Sequence, residues 1–574
     1  MSKATRTFRQ IIGAAMIATL VFASACSSAG TNKGSTENGS TNTDEGAANG
    51  ANGQNGNTGE SKPEPISDPM AKYDPPIEVS TVIISDPTMN FENDDSFDNN
   101  PYYRAYEEKL GIKMKNLWVV DQSQREQKMN LAITSGDLPD IMHVNANQLQ
   151  LLYKAGKLAD LSEVYEQYVL PSVKTFLTVD GGHNLQSGMF DGKLYGIPET
   201  QSYLDGAVVL WVRTDWLNKL HLPEPQSMED VIRIAKAFTH DDPDGNQKDD
   251  TFGLALTKDI FAGYAGAEGF FYGYGAYPDA WYKGADGKLV PGNIQPEVKA
   301  ALAELQALYK EGVIDQEFGV KDLWKASEAA VAGKNGMFFG TMANTFQLQP
   351  GIEQNAEMQW KAYPVYKLGG GIADVLRSRV TNTGYYVVNQ KAKNPEAAMK
   401  LLNFFVESQF GAKPDAKLAE DPVAWKLSVF RPFPGSKNYD NFLAVREALS
   451  TGDQSKLNPE QEGIMKHISE VQNGNVKDNN WAMAKVFGPE SSYAAIDQYV
   501  VNDSFQFNEF YGSPTSSMQS KGSALSKLTT ETFTKMITGR APINEFDAYV
   551  KKWKAMGGDA ITNEINAWYE SKGN

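Results

Sequence analysis

Ile77-Glu-Val-Ser-Thr-Val-Ile-Ile84 and the sixty residues after it decide the fold class. The stretch is β-branched and alternates at its start, as a half-buried strand does. Residues 101–110 read as a helix stopped at Gly111, and residues 112–120 as a second strand. Met129, Leu131 and Ile133 mark a helix over 123–134 that Ser135-Gly136 ends, and Pro139-Asp140-Ile141-Met142-His143-Val144 is a short buried strand. Strand and helix alternate, which implies an α/β fold with a parallel sheet and helices on its faces. The alternation returns in a strand at 208–212 and a helix at 228–238. Residues 301–309 and 395–405 are amphipathic helices, the second with Pro395 at its first position. From about Pro422 the chain is mostly helical. With no internal repeat and no second low-complexity linker, two lobes sharing one chain fit better than separate beads.

Composition sets the outer limits. The chain has 574 residues, 41% hydrophobic and 11% aromatic, so packed cores are expected and wholesale disorder is excluded. Its 71 acidic and 54 basic side chains give a formal charge of −17, which argues against nucleic acid as a partner. One cysteine excludes a disulfide framework and any Cys-only metal cluster. That cysteine, Cys26, follows a cationic start (Lys3, Arg6, Arg9) and an uncharged apolar run over 11–25. The run is too short to span a bilayer comfortably, so residues 1–25 read as a cleaved signal peptide. Ala23-Ser24-Ala25-Cys26 resembles the lipobox of bacterial lipoproteins, with Ala23 where Leu is usual, and implies acylation of the Cys26 thiol. Cleavage before Cys26 removes three positive charges and takes the formal charge from −17 to −20. Residues 26–76 then form a lipid-anchored linker, rich in Asn, Gly, Ser and Thr, that cannot offset its ordering entropy by burial.

Motifs for catalysis are missing. The five histidines are scattered without an HExxH pair, there is no GxSxG elbow, and no Gly-Lys is followed by Ser or Thr as a P-loop requires. Two of the 71 carboxylates converging in space would suffice for a glycoside hydrolase, so that alternative stays open. One loop is sharper. Asp242, Asp244, Asn246 and Asp250, with the Lys248 carbonyl, place oxygen donors at every second position, which suits structural Ca²⁺. The alternative is an Asx- and Gly-rich turn that forms without metal.

Seven segments in register carry a resemblance. They are Leu131-Ala-Ile-Thr-Ser-Gly-Asp-Leu-Pro-Asp-Ile141, Leu152-Tyr-Lys-Ala-Gly-Lys-Leu-Ala-Asp-Leu161, Asp191-Gly-Lys-Leu-Tyr-Gly-Ile-Pro198, Trp211-Val-Arg-Thr-Asp-Trp-Leu217, Leu308-Tyr-Lys-Glu-Gly-Val-Ile-Asp315, Gly333-Lys-Asn-Gly-Met-Phe-Phe339 and Asn394-Pro-Glu-Ala-Ala-Met-Lys-Leu-Leu402. The chain resembles the extracellular solute-binding proteins of ABC importers, in the large lipoprotein branch that serves carbohydrate uptake in Gram-positive bacteria. The resemblance implies a periplasmic-binding-protein-like fold, two α/β lobes joined by hinge strands around a ligand cleft. It places lobe 1 at 77–200, lobe 2 at 201–382, a return to lobe 1 at 383–430, and the helical 431–574 chiefly on lobe 2. It also implies a calcium loop of the kind described, with Thr251 where relatives often have Glu.

Within that frame the cleft candidates are Asn145 and Asn147 after the strand ending at Val144, Glu199 and Asp205 near the first crossing, and Arg213 after the next strand. Trp211 reads equally as a stacking or a core residue. The run Phe270-Phe-Tyr-Gly-Tyr-Gly-Ala-Tyr-Pro-Asp-Ala-Trp281 reads as a loop presenting its rings, with Trp281 as sugar platform or packing residue. Phe339, Asn344, Phe346, Arg377, Arg379 and Tyr511 complete the set. The expected function is a non-enzymatic, monomeric receptor, held to the extracellular face of the cell membrane by a lipid anchor only. It captures an oligosaccharide by lobe closure and delivers it to the permease of an ABC importer. A surface glycoside hydrolase or polysaccharide lyase, and a non-transporting sugar sensor, are the alternatives.

Overall fold

Two large apolar cores organise the chain, each fed by segments distant in sequence. The computed structural model describes residues 68–572 apart from 86–88, 90, 92–94, 262, 412–413 and 420–423. The signal peptide, Cys26 and most of the linker expected from the sequence lie outside the described residues. Among the described residues no helix is long and apolar enough to cross a membrane.

The smaller lobe gathers Val79, Ile83, Tyr102, Tyr106, Ile112 and Ile197 with Tyr386 to Phe405 and Phe430 around one core, and Met142, Val144, Leu149 and Val387 around an adjoining one. Strand Ile77–Ser85 pairs in parallel with Ile112–Asp121. Between them lies the helical segment Pro101–Ala105, continued as a wider π-helical turn Tyr106–Leu110. Asn100 caps it by accepting from the Tyr103 N–H, and Gly111 ends it at φ 66°, a left-handed conformation that favours glycine. Strand Ile141–Val144 enters a three-stranded sheet centred on Asn382–Val388, with Ile197–Thr200 on the far side. Asp140 joins the two sheets by accepting from Ser80 N–H at 2.8 Å and Ser80 Oγ at 2.6 Å.

The purely parallel sheet expected from the β-α-β order does not occur. The central strand Asn382–Val388 is antiparallel to both neighbours, because the chain returning from the other lobe enters from the opposite end.

The larger lobe is built on a four-stranded sheet in the order Trp360–Tyr363, Val209–Arg213, Asn335–Gly340, Phe252–Leu254. Val209–Arg213 is antiparallel to both its neighbours and buried along its whole length. A strand covered on both faces needs this continuous apolar run. Helix Met228–His240, capped by Ser227, and helix Pro296–Lys310 belong to the same core. The C-terminal helices, from Lys437–Thr451 to Asp559–Ser571, add Phe442, Tyr493, Tyr499, Phe533, Trp553 and Ile565.

Three short passes connect the lobes, and they are hydrogen-bonded side by side. Gln201 N–H donates to the Thr381 carbonyl at 2.8 Å, Phe433 N–H to the Thr200 carbonyl at 2.9 Å, and Tyr203 N–H to the Gly435 carbonyl at 2.8 Å. The Thr200 and Thr381 hydroxyls reinforce them by donating to the carbonyls of Phe433 and Gln201. The hinge-facing ends of the larger sheet are therefore Val209 and, opposite it, Gly340.

Trp211 is fully buried in the middle of this sheet, stacked on Phe338 at 6.4 Å, with its indole N–H donating to the Thr341 carbonyl. It is a core residue and has no face to offer a sugar. Trp211→Ala is expected to lower unfolding stability by about 3–5 kcal/mol, the usual cost of emptying so large a core site. Chemical denaturation measures this; full stability with lost ligand binding would return Trp211 to the cleft.

Candidate ligand-binding cleft

The cleft is bounded by the hinge-facing ends of the two sheets, so a candidate must lie there and keep polar or aromatic surface free. Several expected residues fail this geometric condition. Arg213 ends the strand that begins at Val209, four residues from the hinge and so about 13 Å away. Its guanidinium donates to both Asp215 oxygens, at 2.8 and 2.6 Å, and stands 4.4 Å from the Trp216 ring centre, which makes it a structural ion pair. Phe339 is 1% exposed and pressed against Gly269. Asn344 is buried, its Oδ1 accepting from Thr341 N–H at 2.6 Å to close the capping box of the 3₁₀ turn Met342–Asn344. Asp205 is held by Asn438 Nδ2 at 2.8 Å and by the Tyr493 hydroxyl, tying the first pass to the C-terminal helices.

Glu199 is also committed elsewhere. It sits inside the smaller lobe with Oε2 at 2.7 Å from His143 Nε2 and Oε1 at 3.8 Å from Arg431 Nε. Arg125 donates to His143 Nδ1. Burial alone would raise the Glu199 carboxyl, but the Arg431 cation and hydrogen bonds from His143 and Tyr386 outweigh it and hold the pKa at about 2. Burial pushes the His143 imidazole below its ordinary 6.5, with Arg125 and Arg431 adding to the effect against Glu199.

The aromatic run does not form a presenting loop. Glu268–Gly273 is a helix, and Phe270, Phe271, Tyr272 and Tyr277 are all buried. Its glycines permit close packing: a Cβ at Gly269 would stand 2.2 Å from the Phe339 ring, and one at Gly273 1.9 Å from Met228 Cε. Trp281 follows on the short strand Trp281–Lys283, half-buried, with its ring centre 6.5 Å from that of Trp553.

Other candidates keep accessible groups. Phe346 is 40% exposed on the helix Thr345–Gln354, just past the hinge-facing Gly340. Asn147 is exposed on the helix Ala146–Lys154, while Asn145 caps that helix and donates to Glu126 at 3.2 Å. Arg377 is half-buried and stacks on Tyr203 of the first pass at 4.1 Å. Arg379 donates twice to Glu509, at 2.6 and 2.8 Å, so its charge is already matched. Tyr511, half-buried, meets His183 of the smaller lobe edge-on at 5.1 Å.

Sequence reasoning missed Tyr203, His183, Glu268 and Asp279. The two acids had no local signal to separate them from the other carboxylates. Glu268 starts the helix Glu268–Gly273, and Asp279 precedes Trp281. Burial, assisted by Asp279, raises the Glu268 carboxyl to about 8, and burial raises Asp279 as well.

In the loop proposed for calcium, Asn246 Nδ2 donates to Asp244 Oδ2 at 2.7 Å and to Asp250 Oδ1 at 3.1 Å. Lys334 Nζ lies 2.5 Å from Asp250 Oδ2. Among the described residues no three His, Cys, Asp or Glu side chains stand grouped as a metal shell. One oxygen of Asp242 is buried there without a hydrogen-bond partner. Three carboxylates, an amide and a carbonyl on one loop fit a hard cation in kind.

A family model described as "Bacterial extracellular solute-binding protein" matches residues 92–410, more than half of the chain. The chain belongs to this family. This solute-binding protein is 25% identical over 495 residues to Lipoprotein LipO of Bacillus subtilis, covering 83% of the chain and 89% of the relative. It is 24% identical over 453 residues to the polygalacturonan/rhamnogalacturonan-binding protein YtcQ of the same organism, covering 78% and 83%. Among solved structures, the Streptococcus pneumoniae ABC-transporter substrate binding protein FusA, an EF-hand mutant in complex with fructo-nystose, superposes with a TM-score of 0.60 at 18% identity. That match covers 86% of this chain and 99% of the other. The fold is the two-lobed α/β architecture of such binding proteins.

The Glu199 carboxyl gives a pH prediction for this solute-binding protein. A depressed folded pKa stabilises above the unfolded value near 4.5, and that contribution is lost as pH falls toward about 2. His143, depressed from 6.5, withdraws its share earlier, as pH falls below 6.5. Glu199→Gln is expected to cost on the order of 3 kcal/mol at pH 7 and to flatten the stability profile between pH 5 and 2. Urea titrations across that range check it; an unchanged profile would contradict the network.

Proposed function

We propose that this solute-binding protein captures an oligosaccharide between its lobes and hands it to an ABC importer, held at the outer membrane face by acylated Cys26. The observation that carries the reading is the hinge: three passes on one side leave the opposite side of two separately packed lobes free to close on a ligand. Around the hinge lie groups suited to sugars. Phe346, Tyr203 and the half-buried Trp281 and Tyr511 offer apolar ring faces, and Asn382, Asn147 and Arg377 offer hydrogen bonds to hydroxyls. The names of YtcQ and FusA, for a polysaccharide binder and an importer receptor, support the same class of ligand.

Calorimetry of the purified chain against neutral and acidic oligosaccharides is the test. At least one is expected to bind with a dissociation constant in the micromolar range or tighter, and silence across the whole panel would overturn the reading. A raised-pKa acid beside a second carboxylate is also what a glycosidase uses, so the binder reading carries a second check. Prolonged incubation with the bound sugar is expected to release no product.

For the loop from Asp242 to Asp250 we propose bound Ca²⁺ held by Asp242, Asp244, Asn246, Asp250 and the Lys248 carbonyl. The cation would neutralise the loop's carboxylates and brace the end of the helix Met228–His240. Chelation is expected to lower the melting temperature and added Ca²⁺ to restore it; an unchanged melt would refute the site.

A further inference from the structure

Arg125 stands at the hinge-facing end of the smaller lobe. Strand Ile141–Val144 runs toward that end: Ile141 pairs with Val388 and Val144 with Tyr385, while Asn382 of the same partner strand pairs with Thr200 at the hinge. Just past Val144, Asn145 Nδ2 donates to Glu126 Oε1 at 3.2 Å, and one residue before it His143 Nδ1 accepts from Arg125 Nη2. Two contacts from neighbouring residues thus pin the start of the helix Arg125–Ser135 to this strand end. A cation at the first position of a helix opposes the helix dipole, so helix stability does not account for an arginine here.

The cluster acts on Arg125 through one ring, and that ring is fixed on three sides. His143 Nε2 lies 2.7 Å from Glu199 Oε2, and the Tyr386 ring meets the imidazole edge-on at 4.9 Å. The imidazole also lies across Gly384, where a Cβ would stand 2.6 Å from Cε1 on a backbone at φ 145°. Glu199 is held in turn by Arg431, whose Nε is 3.8 Å from Oε1. These neighbours decide the tautomer. A carboxylate faces Nε2, which therefore carries the proton; a guanidinium, which only donates, faces Nδ1, which therefore offers its lone pair. Only a neutral His143 can hold Arg125 in this way. The hold uses one guanidinium nitrogen. Arg125 is half-buried, and among the described residues it has no ion-pair partner and no second hydrogen-bond acceptor. Its remaining N–H groups form a planar fork, oriented in advance and left to donate to a ligand at this end of the lobe.

We propose that Arg125 is a ligand-contacting residue of the cleft, donating to paired sugar oxygens, and that neutral His143 positions it, so that protonating His143 releases Arg125 and weakens capture. The proposal rests on the reading above that the cleft takes an oligosaccharide. A protonated His143 would set N–H against N–H and cation against cation, with the Arg431 charge nearby on the far side of Glu199. Burial, with Arg125 and Arg431 adding to it, holds the imidazole below its ordinary 6.5 against the pull of Glu199, so the change falls on the acid side of that value. Arg125, Glu199, Arg431 and Tyr386 are the charged and titratable groups that face the ring. Glu199 is held at about 2, the Tyr386 hydroxyl is raised well above its ordinary value, and arginine stays charged, so none of the four titrates between pH 7.5 and 5.

The experiment is calorimetry on the mature chain at pH 7.5 and pH 5 with nystose, xylotetraose, maltotetraose and tetragalacturonate. The tightest binder of the four is then measured with Arg125→Ala and Arg125→Lys, each checked by thermal melting. Arg125→Ala is expected to weaken binding at pH 7.5 by roughly 10- to 100-fold, the loss of a charge-assisted fork. The wild-type chain is expected to bind at least about 5-fold more weakly at pH 5, and Arg125→Ala to show less than half of that drop. If Arg125→Ala unfolds, Arg125→Lys, which keeps the charge and loses the fork, decides by its weakened binding at pH 7.5. Wild-type affinity in the folded variants, or an acid drop that is absent from the wild type or the same without Arg125, would overturn this inference and leave the oligosaccharide reading standing. No binding by any of the four sugars would overturn both.

Discussion

Three strands of backbone pass between the lobes, and their mutual hydrogen bonds fix where everything else can be. Thr200 to Tyr203, Thr381, and Phe433 to Gly435 form one ribbon, with Thr200 and Thr381 adding side-chain bonds to the backbone ladder. A single pass would let the lobes swivel freely. Three laid side by side restrict motion to opening and closing about the ribbon, the geometry that converts ligand contact into a change of shape. The same ribbon orients each sheet, since the segment entering from it must begin at the hinge end. Val209, Gly340, Asn382 and Thr200 therefore stand at the hinge-facing ends of their strands, and Arg213 does not.

The smaller lobe carries its charge inside, the larger lobe at its edge. Glu199, His143, Arg125 and Arg431 satisfy one another within the smaller lobe, where breaking a pair would leave an uncompensated charge. A buried, mutually satisfied network of this kind rigidifies the lobe that holds it. On the larger lobe Glu268 and Asp279 take part in no ion pair among the described residues, and burial raises both carboxyls.

Much of the fold was legible from local pattern. Residues 77–84 form the expected strand, Gly111 and Gly136 stop the expected helices at positive φ, and the apolar run at 208–212 is a buried strand one residue out of frame. Direction was not legible, because strand orientation depends on pairing across more than a hundred residues, as between Val209 and Gly340. That is why Arg213 read as a cleft residue and the sheet as purely parallel. The run from Phe270 to Trp281 misled for a different reason. Glycine serves both turns and close packing, and Gly269 and Gly273 serve the second. Phe346 and Asn147 are exposed as expected, because residues just after sheet strands are placed by connectivity alone. Glu268 and Asp279 were invisible among 71 acids, since only tertiary burial sets them apart.

The central claim is that ligand closes two lobes about one ribbon. Spin labels at Leu151→Cys on the smaller lobe and Val320→Cys on the larger, both exposed, in a chain with Cys26→Ser, would report the inter-lobe distance directly. Saturation with an oligosaccharide that calorimetry shows to bind is expected to shorten and narrow that distance distribution. The same distribution with and without bound sugar would contradict the account.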